Sequence, residues 1–360
     1  MQSILIKASK KIKIGPGFPV FIIAEMSANH GHDIKKAFQI IDAAAKAGAN
    51  AIKVQTYTPD TITIDSDKKY FQIKVNKAWK GQTLYNLYKK AYTPWEWLSK
   101  LKKYTESKGL VFFSSVFDNT SVDFLEKMNV PLYKVASFEV VDIPLLEKIG
   151  KTKKPVLMSR GMASIPELRL AIETLRKYGC PSIALLHCIS SYPAQYDEMN
   201  LSTISDMMKR FKIPIGLSDH SPKFTASVAA VSLGATIIEK HIILSRTDGG
   251  PDAAFSLEPK EFKDLVKSIR DTEKAIGQPF YGSGTKESEN IIFRKSLFAV
   301  KNIAKNEKFT IHNVRSIRPG HGLEPKYYNK IIGKLAKVDI ERGTPLRMEQ
   351  VKSLKLKVEN

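Results

Sequence analysis

Residues 214–240, PIGLSDHSPKFTASVAAVSLGATIIEK, join two short apolar runs through a segment that favours a helix. The runs are Pro214–Ser218 and Thr236–Lys240, and the helical segment between them is Ala226–Leu233. Apolar residues follow one another in each run instead of alternating with polar ones, which is typical of strands buried on both faces of a parallel sheet. This stretch therefore predicts a strand, a crossover helix and a second, parallel strand.

The same unit recurs through the preceding part of the chain. Six further apolar runs come before it, at Val20–Ala24, Ala51–Gln55, Val111–Ser115, Leu132–Ala136, Pro155–Ser159 and Ile183–Cys188. Other helical segments are predicted at Ile34–Ala47, Leu145–Ile149, Ile165–Tyr178, Ser202–Phe211 and Pro259–Ile276. Eight strand–helix units within about 250 residues predict an α/β fold of the (β/α)8 TIM-barrel type. A doubly wound open sheet is the rival fold, but no G-x-G-x-x-G turn follows the first run.

The composition and pattern of the sequence change after the last predicted helix. Residues 277–289, GQPFYGSGTKESE, are rich in glycine, serine and polar residues and predict a linker. Short apolar runs and turns follow, at Ser296–Val300, Lys308–Phe309, Arg318–Gly322 and Pro345–Leu346. We expect a barrel domain over 1–280, a linker over 281–293 and a small domain over 294–360. A domain of that size has only a small hydrophobic core, so it is expected to pack against the barrel or against another subunit.

The composition bounds the class of protein. Hydrophobic residues make up 43% of the chain, which supports a sizeable core, but no apolar run approaches the roughly 20 residues that span a bilayer. The N-terminus lacks the apolar segment of a signal peptide, and Cys180 and Cys188 are the only cysteines, so a cytoplasmic protein is expected. The net charge of +21 comes from lysines scattered along the chain without a nucleic-acid-binding motif. Neither a nucleic acid nor a membrane is therefore an expected partner.

Polar side chains follow the C-terminal end of every predicted strand. They are Glu25, Asn29 and His30; Lys53 and Gln55; Ser114 and Ser115; Lys134, Ser137 and Glu139; Ser159 and Arg160; Ser190, Ser191 and Tyr192; Ser218, Asp219 and His220; and Glu239, Lys240 and His241. In barrel enzymes this end of the barrel carries the active site. One polar strand end is ordinary for a solvated rim, whereas eight in a row favour a catalytic mouth that binds anions.

Two lysines, Lys53 and Lys134, lie within otherwise apolar strands. Lysine is almost never buried without a partner, so each is expected to point at a bound anion or at a carboxylate. With the neighbouring serines they suit a phosphate and a carboxylate, the two charged groups of phosphoenolpyruvate. A structural Lys–Glu pair is one alternative, and a Schiff-base lysine, as in a barrel aldolase that needs no metal, is another.

Two histidines, His220 and His241, end neighbouring predicted strands, so their imidazoles are able to converge on one ion. Two histidines with water and an optional carboxylate form an open site for a divalent metal. A single histidine more often makes an ordinary hydrogen bond, but matched positions on adjacent strands favour the metal site.

Several motifs at these positions resemble the sialic acid synthase family, also called the nonulosonic acid synthases. They are Ala24–His30 (AEMSANH), Lys53–Tyr57 (KVQTY), Lys134–Glu139 (KVASFE), Gly216–His220 (GLSDH), Glu239–His241 (EKH) and Gly250–Asp252 (GPD). Arg318–Gly322 (RPGHG) resembles the marker of the antifreeze-like (SAF) domain that follows the TIM barrel in this family. The resemblance covers nearly the whole chain, and the motifs are specific in combination.

The resemblance implies that phosphoenolpyruvate reacts with an open-chain amino sugar to give a nine-carbon sugar acid. It implies that phosphoenolpyruvate is held by Lys53, Ser115, Lys134, Ser137, Ser159, Ser190 and Ser218. It implies sugar contacts from Glu25, Gln55, Tyr192 and Asp252, and a divalent metal ion (Mn²⁺, Mg²⁺ or Co²⁺) on His220 and His241. It also implies a homodimer in which the C-terminal domain of one subunit caps the barrel of its partner and delivers Arg318.

Ordinary polar chemistry gives the expected order of bond changes. Carbon 3 of phosphoenolpyruvate attacks the aldehyde, whose oxygen a metal ion polarises, and water then adds at carbon 2 before phosphate leaves by C–O cleavage. Glu139 is the candidate for the water proton, because it follows two predicted phosphate-binding residues. A role as charge partner of Lys134 is the alternative.

Residues 79–97 indicate which acceptor sugar of the family is expected. Trp79–Tyr85 (WKGQTLY), followed by Leu87-Tyr88, Ala91 and Thr93–Trp97 (TPWEW), resembles the branch whose acceptor is 2,4-diacetamido-2,4,6-trideoxy-L-altrose. This aromatic insert is expected to form a wall against the sugar. The alternatives are an amphipathic helix that packs on the barrel and, for the acceptor, the branches that make N-acetylneuraminic or legionaminic acid. Arg160 stands where the family commonly has threonine, and Ile189–Ser191 also depart from its commoner pattern, which affects individual phosphate contacts.

Overall fold

The computed structural model describes residues 3–8, 11–74 and 81–352. The chain divides into two compact units, Met1–Gly277 and Gln278–Asn360. Trp79 and Lys80, which begin the predicted aromatic insert, lie outside the described residues. Within the described part of the chain, no helix is long and apolar enough to cross a membrane.

An antiparallel hairpin that the sequence analysis did not predict precedes the barrel. Strand β1 (Ile4–Lys7) pairs with β2 (Lys11–Ile14). The inward-facing isoleucines of this hairpin share a buried cluster with residues at the beginnings of the barrel strands. The cluster includes Ile4, Ile6, Ile14, Phe21, Ile23, Ala51, Val111 and Phe113. The hairpin therefore covers the N-terminal end of the barrel with apolar side chains.

Eight of the strands in the described residues close into a parallel barrel, which confirms the predicted (β/α)8 fold. They are β3 (Phe21–Glu25), β4 (Ala51–Thr56), β5 (Val111–Val116), β6 (Tyr133–Val135), β7 (Val156–Ser159), β8 (Ile183–Cys188), β9 (Ile215–Asp219) and β10 (Ile237–His241). Successive strands are neighbours in the barrel, and β10 closes it by pairing in parallel with β3. All eight strands therefore end at the same face, which we call the mouth.

Helices cover the outside of the barrel. The described helices of this unit are α1 (Ile34–Ala47), α2 (Pro59–Ile62), α3 (Leu84–Ala91), α4 (Trp95–Ser107), α5 (Asn119–Lys127), α6 (Ile143–Lys151), α7 (Ile165–Lys177), α8 (Thr203–Phe211), α9 (Thr225–Ser232) and α10 (Pro259–Ile276). Local chemistry fixes their ends: Asp33 caps α1, and Ser164 with Glu167 forms a capping box on α7. Each predicted helical segment is helical. Helices α2 and α5 were not predicted, whereas α3 and the beginning of α4 lie in the insert for which an amphipathic helix was the alternative.

Side chains of the barrel strands alternate between an inner layer and an outer layer against the helices. In β9, Ile215 and Leu217 belong to the outer layer. Gly216 faces inward, where a Cβ atom would stand 2.5 Å from the carbonyl oxygen of Ile237 and 2.6 Å from Leu186. Any larger residue would force these neighbours apart, so the tight inner packing requires glycine at this position.

The second unit has a small core of its own. Strand β11 (Ser296–Ala299) pairs antiparallel with β12 (Val314–Ile317), and α12 (Tyr328–Ile331) follows. Its buried residues include Leu297, Phe309, Val314, Ile340 and Leu346. The stretch predicted as a linker contains a short helix, α11 (Thr285–Ser288). The boundaries predicted for the linker and the small domain stay a prediction.

Candidate active site

Lys53 is the centre of a buried charge network at the mouth. Its ammonium lies 2.6 Å from Oε2 of Glu25 and 3.6 Å from Oε1 of Glu239. It also donates a hydrogen bond to Oγ of Ser115 at 3.1 Å. Burial opposes the charged form of Lys53, but the carboxylates of Glu239 and Glu25 outweigh it and raise the pKa of the ammonium. The side chain therefore stays charged inside the barrel.

The two acidic partners of Lys53 differ in their ionisation. Burial raises the pKa of Glu25 to about 7, although Lys53 opposes this shift. Burial acts in the same direction on Glu239, but the two lysines, Lys134 and Lys53, prevail and lower its pKa. Ser218 adds a hydrogen bond of 2.8 Å to Oε1 of Glu239. Glu239 therefore holds the negative charge, while Glu25 is poised to carry a proton near neutral pH.

Lys134 faces hydroxyl and carbonyl groups. Its ammonium donates to Oγ of Ser159 at 2.7 Å and to the carbonyl oxygen of Val135 at 3.1 Å. Burial lowers the pKa of Lys134, and only 2% of the residue is exposed. Among the described residues, Lys134 forms no ion pair with a carboxylate at contact distance. Glu239 attracts this cation at longer range, and an incoming anion would supply the contact partner that it lacks.

The loops after β6, β7 and β8 meet beside Lys134. Ser137 and Ser190 share a hydrogen bond of 2.9 Å between their hydroxyls. Gly161 lies against both, at a positive φ of 46°, and a Cβ atom there would stand 2.3 Å from that of Ser137. A glycine is required for this close approach, and it lets the hydroxyls of neighbouring loops converge. The structure thus brings the seven predicted phosphoenolpyruvate-binding residues to the mouth; their role stays a prediction.

His220 and His241 end β9 and the neighbouring β10, and their ring centroids are 5.6 Å apart. Nδ1 of His220 lies 2.9 Å from the carbonyl oxygen of Ile189. A carbonyl only accepts, so Nδ1 carries the proton and Nε2 keeps a free lone pair. Burial lowers the pKa of His220 to about 4 and that of His241 well below its usual value. Both imidazoles are therefore neutral, which is the form that binds metals.

The donor set fits a divalent metal ion. Nδ1 of His241 is buried without a hydrogen-bond partner, and Oδ2 of Asp252 lies 3.8 Å from it. Within residues 3–8, 11–74 and 81–352, no group of three or more His, Cys, Asp or Glu side chains is arranged as a metal site. Two neutral imidazoles with remaining positions for water and substrate match the open site that the sequence predicts.

The residues predicted to contact the sugar surround this pair. The Gln55 amide donates to Oγ of Ser27 at 2.9 Å and to Oε1 of Glu25 at 3.3 Å. Burial raises the pKa of Asp252, whose carboxylate accepts hydrogen bonds from the Ser27 hydroxyl and the Ala28 backbone. The ring of Tyr192 lies 4.6 Å from that of His220, centroid to centroid.

Phe255 is a member of the site that the sequence analysis missed. Its ring centroid lies 4.8 Å from that of His241, 5.9 Å from that of His220 and 5.4 Å from that of Tyr192. The residue is buried in a short loop after β10, where no motif marks it. It provides an apolar wall that excludes water from one side of the histidine pair.

Glu139 lies in the loop after β6 and is largely buried. Its Oε2 atom has no hydrogen-bond partner among the described residues. Burial raises the pKa of this carboxyl to about 7. A carboxyl that changes charge near neutral pH and has an unsatisfied oxygen suits a general base; this role stays a prediction.

Arg160 is directed away from the predicted phosphate-binding serines. Its Nε donates to Nδ1 of His187 at 2.9 Å, and Nε2 of His187 in turn lies 2.6 Å from the carbonyl oxygen of Met199. Ser159 faces inward to Lys134, so Arg160 as the next residue along the strand faces the outer layer. The expectation that Arg160 perturbs or adds a phosphate contact is therefore not supported.

The two described tryptophans of the predicted insert, Trp95 and Trp97, pack on the barrel. The indole of Trp95 donates to the carbonyl oxygen of Tyr57 and its ring lies 4.7 Å from that of Phe124. The ring of Trp97 lies 5.6 Å from that of the buried His30. For these two tryptophans, packing on the barrel replaces the expected wall against the sugar; Trp79 lies outside the described residues.

The capping arginine predicted from the sequence belongs to the second unit. Arg318 follows β12 in the turn that the motif Arg318–Gly322 predicted, and its side chain is exposed. The Ser296 hydroxyl donates to the carbonyl oxygen of Pro319 and accepts from the Gly322 backbone N–H, which ties the turn to β11. These two hydrogen bonds fix the backbone of the turn that carries Arg318.

The mouth of this β/α barrel holds buried lysines, clustered serines and a pair of neutral histidines. These features are typical of a barrel enzyme that binds an anionic substrate. Residues 40–281 match the NeuB family, and residues 294–352 match the SAF domain. The chain therefore belongs to the NeuB family, which confirms the resemblance to sialic acid synthases.

Individual relatives agree with this assignment. The chain is 43% identical to the pseudaminic acid synthase of Campylobacter jejuni over 91% of this chain and 95% of that protein. It is 33% identical to the N,N'-diacetyllegionaminic acid synthase of Legionella pneumophila, over 94% of this chain and 96% of that protein. The solved N-acetylneuraminic acid synthetase of Leptospira borgpetersenii superposes with a TM-score of 0.69 at 37% identity, covering 80% of this chain and 95% of that structure.

Proposed function

We propose that this chain is a pseudaminic acid synthase. It condenses phosphoenolpyruvate with 2,4-diacetamido-2,4,6-trideoxy-L-altrose and water to give pseudaminic acid and phosphate. The observation that carries the reaction class is the pair of buried lysines, Lys53 and Lys134, at the mouth of a NeuB-family barrel. The acceptor follows from the relatives, because pseudaminic acid synthases share 38–43% identity with the chain, compared with 33–36% for legionaminic acid synthases.

Phosphoenolpyruvate brings a carboxylate and a phosphate into the barrel. We assign these groups to Lys53 and Lys134 with the hydroxyls of Ser115, Ser137, Ser159, Ser190 and Ser218. Lys134 supports this assignment because its hydrogen bonds go to neutral groups, Ser159 and the Val135 carbonyl. A phosphate there would gain charge-assisted hydrogen bonds and relieve a buried positive charge.

We assign a divalent metal ion, Mn²⁺, Mg²⁺ or Co²⁺, to His220 and His241. When bound there, the ion would polarise the aldehyde oxygen of the acceptor as a Lewis acid. We assign the orientation of the acceptor around this point to Gln55, Glu25, Asp252 and Tyr192. Phe255 keeps bulk water from the histidine pair, which protects the reacting carbons.

Glu139 is assigned the proton of the attacking water. Carbon 3 of phosphoenolpyruvate forms the new bond to the aldehyde carbon, and the electron-poor carbon 2 then accepts water. Loss of one water proton to Glu139 gives a tetrahedral centre. Its collapse to the keto group releases the second water proton and expels phosphate with the bridging oxygen, while the former aldehyde oxygen takes up one proton to become a hydroxyl. A carboxyl with a pKa of about 7 is suited both to accept this proton and to return it.

We further propose a homodimer in which the second unit of one subunit caps the mouth of its partner with Arg318. Exposed apolar side chains on the loops after β6 and β7 support a protein contact at the mouth. They are Phe138, Val141, Met162 and Ile165. In the second unit Ile291, Ile292 and Phe293 are exposed as well. Burying such side chains against a second copy would stabilise the pair by the hydrophobic effect.

The cytoplasm is the compartment that we propose. Phosphoenolpyruvate is a cytoplasmic metabolite, and both cysteines, Cys180 and Cys188, are free and buried, as suits a reducing compartment.

The function is tested by phosphate release from phosphoenolpyruvate with three acceptors offered separately: the altrose derivative, its legionaminic counterpart and N-acetylmannosamine. We expect turnover with the altrose derivative, loss of turnover in chelator and recovery on adding Mn²⁺. With ¹⁸O in the bridging position of phosphoenolpyruvate, the label should leave with phosphate. A preference for N-acetylmannosamine would overturn the acceptor, and borohydride trapping of a substrate on a lysine would favour the aldolase.

The shared site is tested by coexpressing two inactive variants, Arg318→Ala and Lys134→Met. Each homodimer lacks one half of every site, whereas a mixed dimer contains one site with an intact barrel and an intact cap. Random pairing should restore about a quarter of the wild-type activity. No recovery from mixed dimers of demonstrated composition would refute the capping arrangement.

A further inference from the structure

A pocket of about 610 Å³ lies beside the candidate active site in the barrel unit. The loop after β3 lines it with Ala28 and His32, and the loop after β10 lines it with Gly249 and Pro251. Helix α3 and the turn before it supply the third wall, which includes Gln82 and Leu87. This wall belongs to the insert at 79–97 that was expected to contact the sugar, but none of its residues has been assigned a role above.

The pocket is joined to the reaction centre through Asp252. This residue follows Pro251, and its carboxylate accepts hydrogen bonds from the Ser27 hydroxyl and from the backbone of Ala28. Its Oδ2 atom also lies 3.8 Å from Nδ1 of His241. Asp252 therefore lies between the histidine pair and the pocket. An open-chain sugar with its aldehyde at the histidines would reach this pocket if its far carbons extended past Asp252.

Glycines, Leu87 and Gln82 form an uncharged part of the wall that suits a branched group without charge. Lys89, Lys90 and Asp248 line the rest, where Asp248 pairs with Lys36 and Lys90 bonds Gln82. Gly31, Gly249 and Gly250 have positive φ angles, and a Cβ atom on any of them would meet open space. The pocket is thus left wide by residues without side chains. Leu87 supplies an apolar surface, and Gln82 supplies an amide.

The amide oxygen of Gln82 already has a hydrogen-bond partner at the exposed surface. This atom, Oε1, accepts a hydrogen bond of 3.2 Å from the ammonium of Lys90. Since a lysine only donates, the oxygen is occupied on that side and the amide nitrogen is the end that presents N–H groups to a ligand. An acetamido group offers a carbonyl oxygen for such a donor and a methyl group for an apolar neighbour.

We infer that this pocket is the subsite for the 4-acetamido end of the acceptor, with Gln82 donating to the acetamido carbonyl and Leu87 in contact with its methyl group. The inference rests on the proposed function and adds residues that discriminate among acceptors. An acceptor with a hydroxyl at carbon 4 leaves the amide of Gln82 and the surface of Leu87 without partners. Selectivity for a diacetamido sugar over N-acetylmannosamine follows from these missing contacts.

The test compares two acceptors that differ only at carbon 4, the diacetamido altrose and its 4-hydroxy analogue. We expect Gln82→Ala to raise KM for the diacetamido sugar about fivefold, as for one lost neutral hydrogen bond, and to leave KM for the 4-hydroxy analogue and for phosphoenolpyruvate unchanged. Lys90→Met, which releases the Gln82 oxygen, should shift the same KM by a smaller factor. Gln72→Ala is the matched control, because Gln72 lies in the same loop but bonds the carbonyl oxygen of Asp67.

The outcomes separate the subsite from the function. If the wild type uses the diacetamido sugar but Gln82→Ala leaves its KM unchanged, or raises KM equally for both acceptors, the subsite is refuted and the function stands. If the wild type fails with every nonulosonic acceptor, the function is refuted and the subsite with it. A fivefold change confined to the diacetamido sugar supports the subsite.

Discussion

The two ends of the barrel are built from the same strands but from opposite chemistry. The N-terminal end is covered by the β1–β2 hairpin, whose isoleucines Ile4, Ile6 and Ile14 are fully buried. The mouth contains buried charges instead, with Lys53 next to Glu25 and Lys134 next to hydroxyl groups. The apolar end gains free energy by burying hydrocarbon, whereas burying charge at the mouth costs free energy. Stability and reactivity are therefore located at different ends of one fold.

Substitution of Lys134 at the mouth should give the largest effect. We expect Lys134→Met to lower kcat/KM for phosphoenolpyruvate about a thousandfold, because it removes a preorganised cation from the anion site. The melting temperature should stay the same or rise, since a buried charge without a carboxylate partner is replaced by an apolar chain of similar length. Phosphate-release kinetics and thermal denaturation measure the two quantities.

Lys154→Met is the matched control for that substitution. Lys154 lies just before β7, toward the N-terminal end of the barrel, and pairs with Glu126 at 2.6 Å. Its loss should leave kcat/KM unchanged. Near-normal activity of Lys134→Met would mean that the charge at the mouth is not used on the substrate.

The opposite end should respond in stability. Ile6→Ala, in the hairpin, should lower the free energy of unfolding by about 3 kcal/mol, because it leaves a cavity in a closed apolar cluster. Chemical denaturation measures this loss, and kcat of the folded fraction should be unchanged. Leu5→Ala is the control in the same strand, since Leu5 is 37% exposed and its truncation should cost far less. Equal destabilisation by the two substitutions would contradict the account of the hairpin as an apolar cover.

This hairpin also marks a limit of sequence analysis. The eight barrel strands are continuous apolar runs separated by helical segments, so their number and order follow from the sequence pattern. The hairpin strands, Ile4–Lys7 (ILIK) and Lys11–Ile14 (KIKI), are only four residues long, which is too short for a distinctive period. Its role depends on packing beneath the barrel, and packing between distant segments is not encoded in local periodicity.

In the candidate site, too, some residues could be predicted from the sequence and others could not. Lysine and histidine positions could be predicted because charged residues stand out at the ends of apolar strands, and a parallel barrel brings those ends together. Phe255 could not, because an aromatic residue in a loop resembles any core residue until its neighbours are known. The direction of Arg160 was also hidden, since it depends on His187 as a hydrogen-bond acceptor in the outer layer.

Substitution of Glu139 should lower activity less than substitution of Lys134, and it tests whether Glu139 is the general base. Burial raises its pKa to about 7, so this carboxyl is protonated below that pH and unable to accept a proton. We expect kcat of the wild type to fall as pH is lowered through about 7. Glu139→Gln should lower kcat about a hundredfold and remove this limb of the profile. If Glu139 only balances the charge of Lys134, the pH limb will remain in the glutamine variant.

Substitution of Arg160 should have the smallest effect on activity. It tests whether this side chain faces the outer layer and not the inner face of the barrel. Its guanidinium donates to His187, a residue whose pKa burial lowers to about 4, so the imidazole is neutral and its Nδ1 is able to accept. Arg160→Thr should therefore cost about 1 kcal/mol of stability, as for one lost hydrogen bond, and leave KM for phosphoenolpyruvate unchanged. A tenfold rise in that KM would instead place the guanidinium on the phosphate. The adjacent Ser159→Ala provides the contrast, because Ser159 faces Lys134 and its loss should raise KM with little change in the unfolding free energy.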